Sequence, residues 1–229
     1  MSDVALGRGR FMLGDCLERM CELPDASVDM ILCDLPYGEV SQESGGLRLL
    51  DRGTADRCDI DLSVLVGVWR RLCTGSVYAF CGTEQISPLV EHLRSVGFTV
   101  RVGAWNKTNP SPMNGSRLWV SGLEFCVFGR LPKATFNEHC KKALWDAPSG
   151  RAKIHPTEKP ISLFRRLIEA STDEGMTVLD NCAGSGTTAI AAERTSRRWI
   201  CIERDPEYYA KAVERVQAEI ETQKQDLFA

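Results

Sequence analysis

The run Val178-Leu179-Asp180-Asn181-Cys182-Ala183-Gly184-Ser185-Gly186-Thr187-Thr188 reads as a buried strand, a glycine-rich turn and the first turn of a helix. Glycines let the backbone approach a ligand closely, and the helix that follows offers unpaired N–H groups at its start. Seventeen residues past Gly186 stands Glu203, at the end of the next expected strand, Trp199 to Ile202. A carboxylate there can accept hydrogen bonds from both hydroxyls of a ribose, as in dinucleotide sites. A G-x-G turn alone is weak evidence, because many tight strand–helix turns need glycine for packing. With Glu203 in place the pattern points to a nucleoside cofactor. No P-loop lysine follows the glycines, which disfavours ATP, and Ala189 stands where the NAD fingerprint wants a third glycine. On these residues alone, NAD and S-adenosylmethionine both stay open.

Working outward, a helix is expected from Pro160 to Ala170 before the strand Met176 to Leu179, a helix from the glycine turn to Glu193, and a long helix after Pro206. Towards the N-terminus come a short strand around Phe11 to Leu13, a turn at Gly14-Asp15 and a short helix through Leu17 to Cys21. Val28 to Cys33 is apolar but for Asp29, which suits a strand buried on both faces. Helical periodicity runs from Ile60 to Leu72 and from Glu84 to Val96, with the strand Ser76 to Phe80 between them. Phe98 to Trp105 and Glu124 to Phe128 read as strands, antiparallel near a sheet edge. Residues 39–60 read as a long loop, and Asn106 to Gly122 and Gly129 to Lys153 as irregular, basic connections. Alternation of strand and helix argues a three-layer α/β sandwich on a mainly parallel sheet. At 229 residues, 43% of them hydrophobic, one domain spanning 1–229 is the expectation.

The formal charge of -3 does not advertise a nucleic-acid binder, but its distribution is uneven. Between Arg94 and Arg166 stand 13 Lys or Arg against 4 Asp or Glu, a local balance of +9. That segment suits a phosphate-facing surface or, more blandly, a solvated face. The ten cysteines include no C-x-x-C pair, and several lie in apolar runs (Cys33, Cys73, Cys81, Cys126, Cys201). Reduced core thiols and a cytoplasmic setting are expected. His92, His139 and His155 lack partners at ligand spacing, so no metal is expected. No apolar run reaches membrane-spanning length, and no signal-peptide pattern opens the chain.

Asp34-Leu35-Pro36-Tyr37 follows the buried strand, where open α/β sheets hold their reactive groups. It resembles the D/N/S-P-P-Y/F motif of the DNA amino-methyltransferases, and Asp180 to Gly186 resembles their cofactor motif. His155-Pro156-Thr157-Glu158-Lys159-Pro160 is similar to the H-P-T-x-K-P segment of one subgroup, and Gly14-Asp15 to a further cofactor-contacting position. The order, with the acceptor motif first and the glycine motif last, resembles the beta class, over roughly residues 11 to 212. The resemblance implies a Rossmann-like methyltransferase fold in circularly permuted order on a seven-stranded sheet. It also implies S-adenosylmethionine as methyl donor and an exocyclic amine of DNA, adenine N6, as acceptor.

An exocyclic amine is a poor nucleophile, because its lone pair is delocalised into the ring. Acceptors on its hydrogens hold the nitrogen for in-line attack and stabilise the charge it develops. The resemblance assigns this to the Asp34 carboxylate and the Leu35 carbonyl, with Pro36 fixing the turn and Tyr37 stacking on a base flipped out of the duplex. Leu35 departs from the family's first proline. The carbonyl remains, but a rigid φ is lost. Asp180, Ala183, Gly184 and Gly186 are implied to line the methionine portion, with Thr187 in the helix start beside them. Glu203 would take the ribose hydroxyls, Asp15 the adenine edge, and Thr157 and Lys159 neighbouring contacts. DNA-recognition elements are expected within 39–60, 108–121 and 131–153. The partners to consider are double-stranded DNA, a second copy of the chain and a cognate restriction endonuclease. Cytosine N4 is the nearest rival acceptor, since the same fold and acceptors serve it; in the family the aspartate form leans to adenine. An NAD-dependent oxidoreductase leaves the Asp34 motif unexplained, and a non-catalytic DNA-binding protein on the same fold stays open.

Overall fold

The computed structural model describes residues 3–36, 60–112, 115–150 and 158–226. Its elements are β1 (Val4–Leu6), β2 (Gly9–Leu13), α1 (Cys16–Cys21), β3 (Val28–Asp34), α2 (Leu62–Leu72), β4 (Cys73–Cys81), α3 (Thr83–Ser95), β5 (Thr99–Lys107), β6 (Leu123–Arg130), β7 (Leu144–Ala147), α4 (Ile161–Ser171), β8 (Thr177–Asp180), α5 (Thr187–Arg194), β9 (Arg198–Glu203) and α6 (Pro206–Asp226). The strands form one sheet in the order β1-β2-β9-β8-β3-β4-β6-β5-β7. Pairing is parallel from β2 through β9, β8 and β3 to β4, and antiparallel where β6 lies between β4 and β5.

The sheet has nine strands, not seven. The two extra strands are short and sit at its edges. Gly7, at φ 50°, turns β1 back onto β2 as a hairpin. Leu144–Ala147, inside a segment expected to be irregular, runs parallel to β5. It buries Trp145 and Ala147 while Asp146 faces outward and accepts from Asn106 Nδ2 at 2.7 Å.

β3 is buried on both faces. Met30 and Leu32 join the cluster packed under α4, α5 and α6, while Ile31 and Cys33 join Leu65 and Trp69 under α1, α2 and α3. The sandwich therefore has three layers. Asp29, the one polar interruption, is explained by the neighbouring strand: its Oδ2 accepts the Thr177 N–H at 2.8 Å, satisfying a donor at the start of β8. The described cysteines are all free, and six of the nine are buried, as core thiols.

From β8 the chain crosses through α5 to β9 on one side; from β3 it crosses through α2 to β4 on the other. The β8–β3 boundary is therefore where the winding reverses, and open sheets place ligands in the crevice beyond the strand ends at such a point. Two connections are rooted at that end. The chain leaves β5 at Lys107 and returns into β6, with Lys107 N–H donating to Gly122 O at 2.8 Å. The segment after β7 is clipped to it by Asn109, which donates to Ser149 O at 3.1 Å and accepts from Ser149 N–H at 2.6 Å. Residues 131–139 begin at the other end of the sheet. There Asn137 satisfies the last carbonyls of α4, donating to Ala170 O from its backbone and to Glu169 O and Thr172 O from its side chain.

Candidate active site

A cleft of about 260 Å³ opens at the β8–β3 boundary. It brings together Asp34, Leu35 and Pro36 from the end of β3, Asp180, Ala183 and Gly184 from the glycine turn, Thr187 from α5, Glu203 from β9, Asp15 from the start of α1, and Lys159. Two stretches 150 residues apart in sequence thus share one cavity. Tyr37, His155 and Thr157 lie outside the described residues, as do residues 39–59 and 151–153 of the expected recognition segments.

The acceptor motif is held from both sides. Leu35 N–H donates to Phe80 O at 3.0 Å, which prolongs the β3–β4 pairing one step beyond the strand. A proline has no N–H to make that bond. Leu35 therefore exchanges a fixed φ for a hydrogen bond, and it buries its side chain in the cluster with Leu65 and Trp69. Gln85 Nε2 donates to Pro36 O at 3.0 Å, while Gln85 Oε1 accepts from Gly82 N–H at 2.9 Å, tying the motif to the first turn of α3.

Lys159, expected beside the cofactor, has its ammonium on the acceptor motif. Nζ lies 2.5 Å from Asp34 Oδ2 and 3.0 Å from Glu124 Oε2, and Lys107 Nζ is 2.6 Å from Glu124 Oε1. The four side chains form a row of alternating sign with no net charge. Burial pulls the Lys159 ammonium down, but Asp34 and Glu124 outweigh it and hold the group above its ordinary range. Burial likewise raises Glu124, and Lys159 and Lys107 outweigh that, leaving it below the usual glutamate range. Glu124 was not among the residues sequence reasoning selected, whereas Lys107 stands at the strand end expected beside the pocket. A lone acid at the start of a strand carries no local signature, and its partners Lys107 and Lys159 lie elsewhere in the chain.

At the cofactor end, Asp180 is fully buried. It accepts from Cys182 N–H at 3.0 Å and from the Thr188 hydroxyl, yet burial still pushes its carboxyl up to about 7. Glu203 is also raised by burial. Its carboxylate accepts from Gly184 N–H at 2.7 Å and Asp205 N–H at 2.9 Å, so it braces the glycine turn. Asn181 Oδ1 accepts from buried Trp69 Nε1 at 3.0 Å, fixing the turn to α2. Asp15 caps α1, accepting from Leu17 N–H at 2.9 Å. Gly186 is not on the cleft. It sits at φ 77° as the residue before α5, and a Cβ there would meet Phe11 Cζ at 3.0 Å and Val216 Cγ2 at 3.1 Å. Gly186→Ala is expected to lose about 1–3 kcal/mol through left-handed strain and crowding, read as a lower Tm with the fold retained.

Buried carboxyls at Asp180 and Glu203, both raised by burial, suit a ligand bringing positive charge, and the ammonium and sulfonium of S-adenosylmethionine fit those acceptors. A doubly wound sheet with a nucleoside site and an amine-acceptor motif in one crevice defines a group-transfer enzyme.

Comparison with known proteins agrees. The DNA methylase family matches residues 104–214. The Type II methyltransferase M2.DpnII of Streptococcus pneumoniae is 30% identical over 240 residues, covering 91% of this chain and 89% of the relative. The Type II methyltransferase M.HinfI of Haemophilus influenzae is 27% identical, over 89% of this chain and 67% of its own. Among solved structures, the M1.HpyAVI–SAM complex superposes with a TM-score of 0.72 at 27% identity, covering 91% of this chain and 98% of that one. The chain belongs to the DNA methylase family of N6 and N4 amino-methyltransferases: it is a DNA methyltransferase using S-adenosylmethionine. Among the described residues no helix is long and apolar enough to cross a membrane.

Proposed function

We propose that this chain methylates N6 of adenine at a short target in double-stranded DNA, with the base flipped out of the helix into the crevice beside Asp34. The observation that carries the reading is the meeting of the Asp34 carboxylate with the glycine turn in one cleft, with Lys159 locked on Asp34. S-adenosylmethionine supplies an electrophilic methyl group. Asp180, Ala183, Gly184 and Thr187 hold its methionine end, Glu203 its ribose and Asp15 its adenine edge. Gly186 acts through the turn it makes. Asp34 and the Leu35 carbonyl accept the two amino hydrogens of the target, which aligns the nitrogen and faces its growing positive charge with a carboxylate. Lys159 orients that carboxylate, and Gln85 fixes the backbone that presents the Leu35 carbonyl. Tyr37 stacks on the base, and Thr157 stands near the cofactor, as the family motif implies.

DNA recognition falls to 39–60, 108–121 and the part of 131–153 that follows β7, since 108–121 and residues 148–150 are rooted at the cleft end. The chain is one methyltransferase domain over 1–229. Its small recognition surface suggests a second copy sharing the target, and the relatives' Type II designation suggests a cognate restriction endonuclease. A footprint longer than one domain covers, from a demonstrably monomeric protein, would count against the small target.

The test is to incubate the protein with unmethylated genomic DNA and S-adenosylmethionine and identify the modified nucleosides by mass spectrometry. N6-methyladenine is expected; N4-methylcytosine would overturn the choice of base and keep the fold and acceptors. Glu203→Ala is expected to weaken S-adenosylmethionine binding about 10- to 100-fold by titration calorimetry, because charge-assisted hydrogen bonds to the ribose and to Gly184 are both lost.

A further inference from the structure

The connection from β5 to β6 exposes a tryptophan. Trp119 is 99% accessible and Leu118 beside it 70%, whereas the other four tryptophans of the chain are buried. The segment that carries them is built. Gly115 N–H donates to Pro112 O at 2.9 Å, Gly122 N–H to Val120 O at 2.9 Å, and Val120 packs beside Gly115. Its base is clamped by the Lys107–Gly122 hydrogen bond and by Asn109 on Ser149. Both stems end in the charged row, since Lys107 closes β5 and Glu124 opens β6, and Glu124 shares Lys159 with Asp34. The aromatic tip therefore projects from the rim of the crevice.

Between Lys107 and Glu124 the only charged residue is Arg117, two positions from Trp119; the rest are Ser, Thr, Asn, Pro, Gly and apolar residues. A bare aromatic and aliphatic pair beside one cation, with no acid near it in sequence, complements a polyanion with a stacked apolar interior. Water does not favour leaving such a pair exposed, and the surface it fits is a base-pair step.

We propose that Trp119, with Leu118, enters the duplex stack at the position the target base vacates, and that Arg117 meets the adjacent phosphate. The proposal rests on the base-flipping reading above. Trp119 is a positioning residue: it holds the duplex open and takes no part in methyl transfer. Its contribution should be required by duplex DNA, where a stacking gap has to be filled, and dispensable for a strand already unpaired.

Unmethylated genomic DNA, native or heat-denatured, supplies both substrates without knowledge of the target sequence. Trp119→Ala is expected to lower methylation of native DNA on the order of tenfold or more, while denatured DNA is methylated within about twofold of the parent. Trp119→Phe should recover most of the loss. As an independent reading, emission from Trp119, isolated as the difference between parent and Trp119→Phe, should become quenched and shielded from acrylamide on adding duplex. S-adenosylmethionine affinity should be unchanged in both variants. Equal losses on both DNAs, no loss on either, or a Trp119 still open to acrylamide at saturating duplex would each overturn the wedge. The fluorescence does not depend on catalysis, so a failure of the adenine-flipping chemistry would leave it readable.

Discussion

Replacing Asp34 by asparagine is expected to lower methyl transfer by about two to three orders of magnitude, while S-adenosylmethionine binds within a few fold of the parent. Asparagine keeps one acceptor oxygen at nearly the same place, so the cleft keeps its shape. What changes is charge. The developing positive charge on the amine nitrogen loses the anion that faces it, and the new amide N–H₂ competes as a donor where only acceptors are useful. The change also removes the anion from the Asp34–Lys159 pair, which redistributes the row Lys107–Glu124–Lys159. Because the effect arises in the transition state, it should fall on kcat with KM for DNA nearly unmoved. The check is single-turnover transfer of a labelled methyl group beside calorimetric binding of the cofactor. Retained turnover in Asp34→Asn would mean that the nitrogen is activated elsewhere in the cleft.

The parts of this arrangement that lie on one continuous stretch were legible in the sequence. The strand–turn–helix at Val178–Thr188 and the strand Val28–Cys33 ending in the acceptor motif appear where expected, because burial on both faces leaves a run that is apolar but for Asp29 in β3. Antiparallel β5 and β6 were foreseen near an edge, and only the short β7 lies outside them. β1 and β7 were not foreseen: three or four residues give too few turns of the alternating pattern to separate a strand from a loop, and the partner of β7, β5, is distant in sequence. The same limit hid Glu124. Its role arises from β6 lying beside β4, which puts a carboxylate from residue 124 next to one from residue 34. Lys159 was selected through its motif and placed with the cofactor; what the motif did not show is that its ammonium also meets Asp34 and Glu124. Gly186 was taken for a cofactor contact on a pattern that serves backbone geometry equally well, and its left-handed conformation against Phe11 and Val216 gives that second reason for a glycine.

Lys159→Met is expected to move the acid limb of the methylation rate to higher pH and to destabilise the protein by about 3–5 kcal/mol, the cost of breaking a buried pair by removing one partner. Methionine matches the length of the lysine stem, so packing over Phe80 survives while the charge goes. Asp34 and Glu124 then lose the ammonium that lies between them. Each disfavours the other's ionisation, so both take up protons at a higher pH than in the parent. On the proposed role an ionised Asp34 is the acceptor, so activity lost at the acid end should return as pH rises.

The stability of the parent depends on pH in a related way. Lys159 is held above its ordinary range, so its contribution is complete below the unfolded lysine's pKa and is lost as pH climbs through the folded one. Glu124 is held below its ordinary range, so its contribution is present above the unfolded glutamate's pKa and is lost as pH falls through the folded one. Between those limits, across neutrality, the row is intact, and Lys159→Met removes that plateau. Adding Glu124→Gln to Lys159→Met takes away one of the two stranded carboxylates and should recover part of the lost Tm and bring the acid limb back towards the parent. If Lys159→Met instead weakens S-adenosylmethionine binding and leaves the pH profile in place, the lysine is a cofactor contact, as its motif alone implied, and the charged row is only structural.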